Sequence, residues 1–339
     1  YAAEVTAENR TPLIIFVAVL LVVLLSMATF RSPAVALMPD VTIKPLRSKA
    51  NAVINLMGAA GGIIVLLLGS VFGTGAPENA LMSYTVFFAA ISGLMLGSLL
   101  IFLWRVKEPQ LVQEMHAESA RYGIDTDEAE EAAGDRQLQR AERTSLLLIL
   151  ASVVLWFFGY NAVTSKYSVY ASSVLGLDYN ATLTIATGAA IVAYIPVGAV
   201  ASRFGRRKTI LAGIVILGGS FLLGSFVRAG TSPIIMNILF ATAGIGWATI
   251  NVNSYPMVVE LSRGSDVGKY TGFYYTASMA AQTVTPIFSG FLMDNMGMTV
   301  LFPYGCVCVL LAFVTMLFVR HGDNKPTPVS KLEALGGSD

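Results

Sequence analysis

The feature that most constrains this chain is the recurrence of apolar runs about 20 residues long, the first being LIIFVAVLLVVLLSMATF at 13–30. A run of that length matches the roughly 30 Å hydrocarbon layer, because a helix rises about 1.5 Å per residue. Nine such runs are read along the chain, at about 12–38, 50–73, 81–104, 145–170, 181–202, 208–228, 233–259, 268–292 and 298–319. Backbone polar groups in lipid must bond within their own segment, so each run is predicted to be a helix. Only 13% of the 339 residues are charged, against about a quarter in soluble domains, and mean hydropathy is +0.67. The expected fold class is therefore an all-α polytopic membrane protein lying in a lipid bilayer.

Positive charge sets the orientation. If residue 1 is outside, the inside segments 44–49, 105–143, 203–208, 263–269 and 320–331 hold eighteen of the 22 Lys and Arg; only Arg10 and Arg228 are outside, and Arg31 and Lys166 are within helices. The C-terminus is then cytoplasmic. The chain starts YAAEVTAENR, without an initiator Met or a signal-peptide pattern, and the expectation is that upstream helices precede this reading frame. Cys306 and Cys308 lie two apart on one helix and point to different faces, which argues against a disulfide or a metal site. His116 and His321 read as solvated surface groups. No nucleophile–base pair, metal cluster or phosphate loop appears, so neither an enzyme nor a cofactor is predicted, and nothing resembles a nucleic-acid surface.

Three helices, a charged insert containing DTDEAEEAAGDRQLQRAER, and six more helices follow in order. This resembles the major facilitator superfamily, whose two six-helix halves are internal repeats joined by a long inside loop. The resemblance implies that residues 1–104 are helices four to six of a first half, 105–144 a cytoplasmic linker, 145–320 the second half and 321–339 a polar tail. The predicted fold is the major facilitator fold with nine transmembrane helices, in two pseudo-symmetric halves of which the first is incomplete. GAVASRFGRRKTI at 198–210 resembles the superfamily's inner-loop signature. There Gly198, Arg203, Gly205, Arg206 and Arg207 match, and Ser202 stands where an acidic residue is usual, which puts a charge relay at this loop in question. On charge alone the same arginines are topological anchors.

RSPAVALMPD at 31–40 carries an arginine, two prolines and an aspartate at the end of a greasy helix. Pro33 and Pro39 open the backbone hydrogen-bond ladder. Arg31 lies about 29 Å along a helix started at Pro12, within reach of the inner interface; Arg31 and Asp40 are about 13 Å apart and out of phase, so each needs another neighbour. With the following RSKANAVINLMGAAGG, the stretch resembles the plant sucrose carriers and their bacterial relatives, and more distantly the melibiose permease group, all glycoside-pentoside-hexuronide:cation symporters. GIGWATINVNSYPMVVELSRGSDVGKYTGFYYTASMAAQTVTPIFSG extends the likeness. The resemblance implies a cation-coupled sugar carrier of a bacterial cytoplasmic membrane, in which the position of Arg31 is an acidic sugar and cation ligand. The arginine here argues against a copied sodium site, and Tyr160 and Asn161 replace acidic residues of the plant carriers.

Helical spacing marks polar stripes apart from any family. Thr271, Tyr275, Ser278, Gln282 and Thr285 form one face; Tyr160, Asn161, Thr164, Tyr167 and Ser168 a second; Trp247, Asn251, Ser254 and Tyr255, with Asn253 beside them, a third; Asn51 and Asn55 a fourth. Single Ser or Thr residues in such stripes commonly glue helices together, whereas several stripes with amides favour a wet cavity. Amides, hydroxyls and flat rings suit a sugar. The predicted binding residues are Arg31, Asn55, Tyr160, Asn161, Asn251, Asn253, Tyr275 and Gln282. Asp40 is the candidate for coupling a proton or sodium ion, or else for capping and gating. Arg203, Arg206, Arg207 and Glu260 are candidate inner-gate residues, Glu260 pairing with Arg203 or Arg206. Gly58, Gly61 and Gly62 read as helix-packing positions. Competing readings are efflux of amphipathic compounds and a membrane sugar sensor that moves nothing.

Overall fold

The computed structural model describes residues 11–72, 83–122, 139–177, 179–262 and 266–323. The acidic stretch of the insert, the last sixteen residues, and the topological charges Arg10, Arg136, Arg263, Lys325 and Lys331 lie outside the described residues. The described chain is helical throughout: α1 (Thr11–Asp40), α2 (Arg47–Val71), α3 (Thr85–Arg105), α4 (Glu108–Arg121), α5 (Arg140–Tyr170), α6 (Tyr179–Phe204), α7 (Arg206–Gly224), α8 (Pro233–Val259), α9 (Val267–Met296) and α10 (Leu301–Leu317).

Nine of these occupy the nine apolar runs, and α4 is a short additional helix after α3. By length and composition, eight helices among the described residues can cross a membrane. The ninth, α9, is long enough at 30 residues but carries Thr271, Tyr274, Tyr275, Ser278, Gln282, Thr285 and Ser289 on one segment, which lowers its hydropathy below that of its neighbours. Four of these residues, Tyr274, Tyr275, Ser278 and Gln282, line an internal cavity.

Two local devices set the helix ends that matter for the site. Gly205, with φ +95°, ends α6 and starts α7 in one residue, a backbone region closed to most side chains. A five-residue π turn, Ala171–Leu175, extends α5 and ends on Gly176.

The densest core belongs to α5–α10, where Ile149, Val153, Trp156, Tyr167, Ile210, Ile214, Leu217 and Phe302 are fully or almost fully buried. Small residues set the helix crossings. A Cβ at Gly159 would meet the Gly305 carbonyl at 2.8 Å, one at Gly213 the Gly246 carbonyl at 2.9 Å, and one at Gly244 the Ala186 carbonyl. Helices in lipid associate by such close contact because the hydrophobic effect does not drive them together. Gly58, Gly61 and Gly62 do not share this role: a Cβ at any of them meets nothing within 4 Å among the described residues.

α1 and α2 are held against the α5–α10 bundle, α1 packing on α9 and α2 on α6 and α8. At Gly198, in the body of α6 and not at the turn, a Cβ would lie 2.9 Å from Ala52 Cβ and 3.1 Å from the Ser48 carbonyl. α3 touches α2 lightly and exposes its apolar side chains, surface that water would penalise and hydrocarbon does not.

Candidate functional site

Between α1–α2 and the α5–α10 bundle lies a cavity of about 500 Å³, a size typical of small-molecule sites. α1 contributes Arg31 and Val35, α2 Asn51 and Asn55, α8 Trp247, Asn251 and Tyr255, and α9 Tyr274, Tyr275, Ser278 and Gln282, with Phe157 and Tyr194 completing the wall. The Arg31 guanidinium sits 4.8 Å over the Tyr275 ring, joining α1 to α9. A cation over an aromatic face is stabilised by the ring quadrupole, so the arginine is oriented toward the cavity. The amides make a thread across it: Asn55 Nδ2 donates to the Asn51 carbonyl at 2.8 Å, and Asn251 Nδ2 to Asn55 Oδ1 at 3.4 Å. Gln282 Nε2 is engaged only by its own helix, at 3.2 Å from the Ser278 carbonyl.

Five of the eight predicted binding residues, Arg31, Asn55, Asn251, Tyr275 and Gln282, are brought together on this wall. Tyr160 stands one layer behind it, its ring stacked 3.9 Å from Trp247 and parallel to within 3°, while Phe157 meets the same indole edge-on. Asn161 is not on the wall; its buried amide nitrogen makes no hydrogen bond. Asn253 points away, fully buried, and donates to the Thr249 carbonyl of its own helix at 2.8 Å. Tyr167 is core, 4.2 Å from the Phe240 ring. Tyr194 and Tyr274 line the cavity without having been singled out from sequence; each is a lone aromatic off the chosen stripe.

At the end of the cavity where α6 turns into α7, the helices converge on buried charge. Arg206 Nη1 pairs with Glu260 Oε2 at 2.8 Å, and Arg47 Nη1 lies 3.7 Å from the same oxygen. Arg206 also donates to Ser48 Oγ at 2.9 Å and to the Lys44 carbonyl at 2.6 Å, and Arg47 to the Pro39 carbonyl at 3.0 Å. These bonds link α7 and α8 to the α1–α2 segment. Opposite charge and these hydrogen bonds offset the desolvation of the buried ions, although Arg47 Nε is buried without a hydrogen bond of its own. Arg203 is outside the cluster, exposed with its guanidinium 5.8 Å from the Phe204 ring. Arg207 holds the Leu317 carbonyl of α10 at 2.6 Å. Asp40, the last residue of α1, is half-buried next to the Pro39 carbonyl that Arg47 holds.

One acidic residue of this cluster was not legible from sequence. Ser202, in the usual acidic position, bonds only within its helix, to the Gly198 carbonyl at 3.0 Å. The carboxylate comes instead from Asp323, beyond α10, which accepts from the backbone N–H of Arg206 at 2.7 Å and of Arg207 at 3.2 Å. It thus caps the start of α7. His321 is correspondingly not a solvated surface group: its Nδ1 lies 3.1 Å from Ser145 Oγ at the start of α5, and Gly322 is packed against Met257. Among the described residues no group of three or more His, Cys, Asp or Glu is placed to hold a metal ion.

Fold and site define a class: a polytopic helical carrier with a polar cavity between two bundles, which buried charge bridges at one end. The sequence profile of the Major Facilitator Superfamily matches residues 5–194 and again 178–336, and the chain belongs to that superfamily. It is a membrane transporter, not an enzyme. The chain is similar to the proton:xylose symporter XylE bound to 6-bromo-6-deoxy-D-glucose, at 16% identity and TM-score 0.61, over 88% of this chain and 69% of that one. It is also similar to the transporter FucP in the outward conformation, at 14% identity and TM-score 0.53, over 81% of this chain and 68% of that one. At such identities the likeness is one of fold. Comparison with curated protein sequences gives no match.

Proposed function

We propose that the chain works as a cation-coupled sugar symporter related to the sucrose carriers of the glycoside-pentoside-hexuronide group, in a bacterial cytoplasmic membrane with its C-terminus inside. Residues 1–104 supply the end of the first half, 105–144 an inner linker, 145–320 the second half and 321–339 the tail. The observation that carries this reading is the composition of the cavity wall: Asn51, Asn55, Asn251 and Gln282 beside Tyr274, Tyr275 and the Tyr160–Trp247 stack, with Arg31 as its cation. Amides exchange hydrogen bonds with hydroxyls in both directions, and flat rings cover the apolar face of a pyranose. A cavity for amphipathic efflux substrates would carry fewer amides. The match to a proton:xylose symporter fold adds to the reading.

In this reading Arg31, Asn55, Asn251, Tyr275 and Gln282 hold the sugar, with Tyr160 supporting the indole, and Asp40 carries the proton. Asn161 and Asn253 enter only when the halves rearrange. Arg203, Arg206, Arg207 and Glu260 gate the inner end. The two halves rock about this site to give alternating access.

The test is sugar-dependent alkalinisation. Cells unable to take up disaccharides express the protein, receive sucrose, maltose or related sugars, and the medium pH is followed. A rise in pH that is lost in Arg31→Ala is the expected result. Silence for every sugar, with the protein in the membrane, rejects proton–sugar symport; binding of a sugar without flux would make the protein a sensor.

A further inference from the structure

The two prolines nearest the cavity floor, one in each bundle, leave a pair of backbone carbonyls without their helical donors. In an α-helix the N–H of residue i bonds to the carbonyl of residue i−4, and proline has no N–H. Pro39 lies inside α1 and Pro256 inside α8. Pro39 therefore frees the carbonyl of Val35, and Pro256 that of Val252.

Each freed carbonyl is taken by a side chain of the opposite bundle. Tyr255 Oη, on α8, donates to the Val35 carbonyl of α1 at 3.1 Å. Asn51 Nδ2, on α2, donates to the Val252 carbonyl of α8 at 2.7 Å, and reaches the Asn251 carbonyl at 3.3 Å. The Val35 bond takes the one proton that Tyr255 has to give. A carbonyl only accepts, so the single phenolic proton goes to Val35. Thr271 Oγ1, 3.0 Å from Tyr255 Oη, then donates either to that oxygen or to the Val267 carbonyl at 2.8 Å. Tyr255 and Asn51 are 2% and 4% exposed, so neither bond is exchanged with water while the halves are together. Val35, Asn51 and Tyr255 also line the cavity, immediately above the Arg47–Glu260–Arg206 cluster.

We propose that these two reciprocal bonds are a latch for the transport cycle, with Tyr255 and Asn51 as positioning residues that hold the cavity floor closed to the inner side. Proline supplies each half of the latch with an acceptor that its own helix cannot use. Both bonds cross the interface, so both break whenever the inner ends of the bundles part. An open helix carbonyl then meets water in the widened cavity. The latch rests on alternating access and on no particular substrate.

The experiment reads access to the cavity without any sugar. Cys306 and Cys308 are replaced by Ala, and Ser278→Cys, on the cavity wall, is the reporter. Its alkylation by a membrane-impermeant maleimide is timed in right-side-out and inside-out vesicles. Tyr255→Phe and Asn51→Leu should each raise the ratio of inner-face to outer-face rates about fivefold, the population change that one ordinary hydrogen bond carries. A rise on both faces together would indicate a loosened protein and reject the latch, as would an unchanged ratio. Pro39→Ala returns an N–H to the ladder and competes for the Val35 carbonyl, so in that background Tyr255→Phe should change the ratio less than about twofold. A full fivefold effect there overturns the assignment of the freed carbonyl. Silence in the sugar screen leaves this test unaffected, so the two readings fail separately.

Discussion

At the scale of single residues, the interior of this protein shows two ways of keeping polarity in lipid. Asn253 donates to the carbonyl four residues earlier while its buried Oδ1 accepts no hydrogen bond, whereas Asn251, two positions away, faces the cavity. Both belong to the same polar stretch, INVNSY, and period alone does not separate them, because a helix inside a bundle has no wholly apolar face to contrast with. Glu260 is the sharper case. It is 7% exposed between two buried guanidiniums, and breaking such a pair leaves uncompensated charge costing about 3–5 kcal/mol. Glu260→Gln is expected to lower the detergent melting midpoint by about 5 °C or more; a midpoint within a degree of wild type would show that the cluster contributes no stability. Trp247 tests the other side of the site. If a pyranose lies on its ring, Trp247→Ala should raise KM about fivefold or more, since a stacked aromatic contact is worth on the order of 1 kcal/mol beyond its area. Unchanged KM in uptake assays would place the sugar elsewhere on the wall.

The helices themselves were legible because their cause is local: an apolar run long enough to cross hydrocarbon has no alternative to hydrogen-bonding itself. Of the five residues of the stripe on α9, Tyr275, Ser278 and Gln282 line the cavity, while Thr271 and Thr285 are fully buried away from it. What stayed hidden depends on contacts between distant elements. Trp247 needs Tyr160 of α5 to become a fixed platform. Gly198, a match to the loop signature, lies within α6 at the approach of α2, and the turn belongs to Gly205. Asp323 is a polar residue past the last helix, in a stretch that reads as tail, yet it caps α7 at Arg206 and Arg207. Loss of a side chain that accepts from helix N-terminal N–H groups costs about 0.5–2 kcal/mol. Asp323→Ala should therefore lower the melting midpoint by a few degrees, and Asp323→Asn, which keeps the acceptor and loses the charge, by less. Equal losses would mean that charge, not hydrogen bonding, holds the segment.

At the scale of the whole molecule, function depends on how closely the two bundles meet at their inner ends. One close approach is at Gly198, where any Cβ would press on Ala52 Cβ at 2.9 Å and on Lys49 Cα at 3.2 Å. Both neighbours belong to the body of α2 and cannot swing aside as the tip of a long side chain does, so extra atoms at 198 must push α2 away from α6. That displacement moves Ser48, which holds Arg206, and Asn51, which holds the Val252 carbonyl. A single small side chain at this position is thus coupled to the charge cluster and to the bonds above it, through one rigid helix. Overpacking of this kind costs about 1–3 kcal/mol, and under the alternating access proposed above the cost falls on the state in which α2 and α6 meet. Gly198→Val is expected to leave the protein in the membrane with its inner end held apart, and to reduce uptake at least tenfold relative to wild type. The lost closure corresponds to about 1.4 kcal/mol for each factor of ten in population. Uptake within twofold of wild type would mean that the halves alternate without α2 and α6 meeting, and that the inner closure seen here is not a required step.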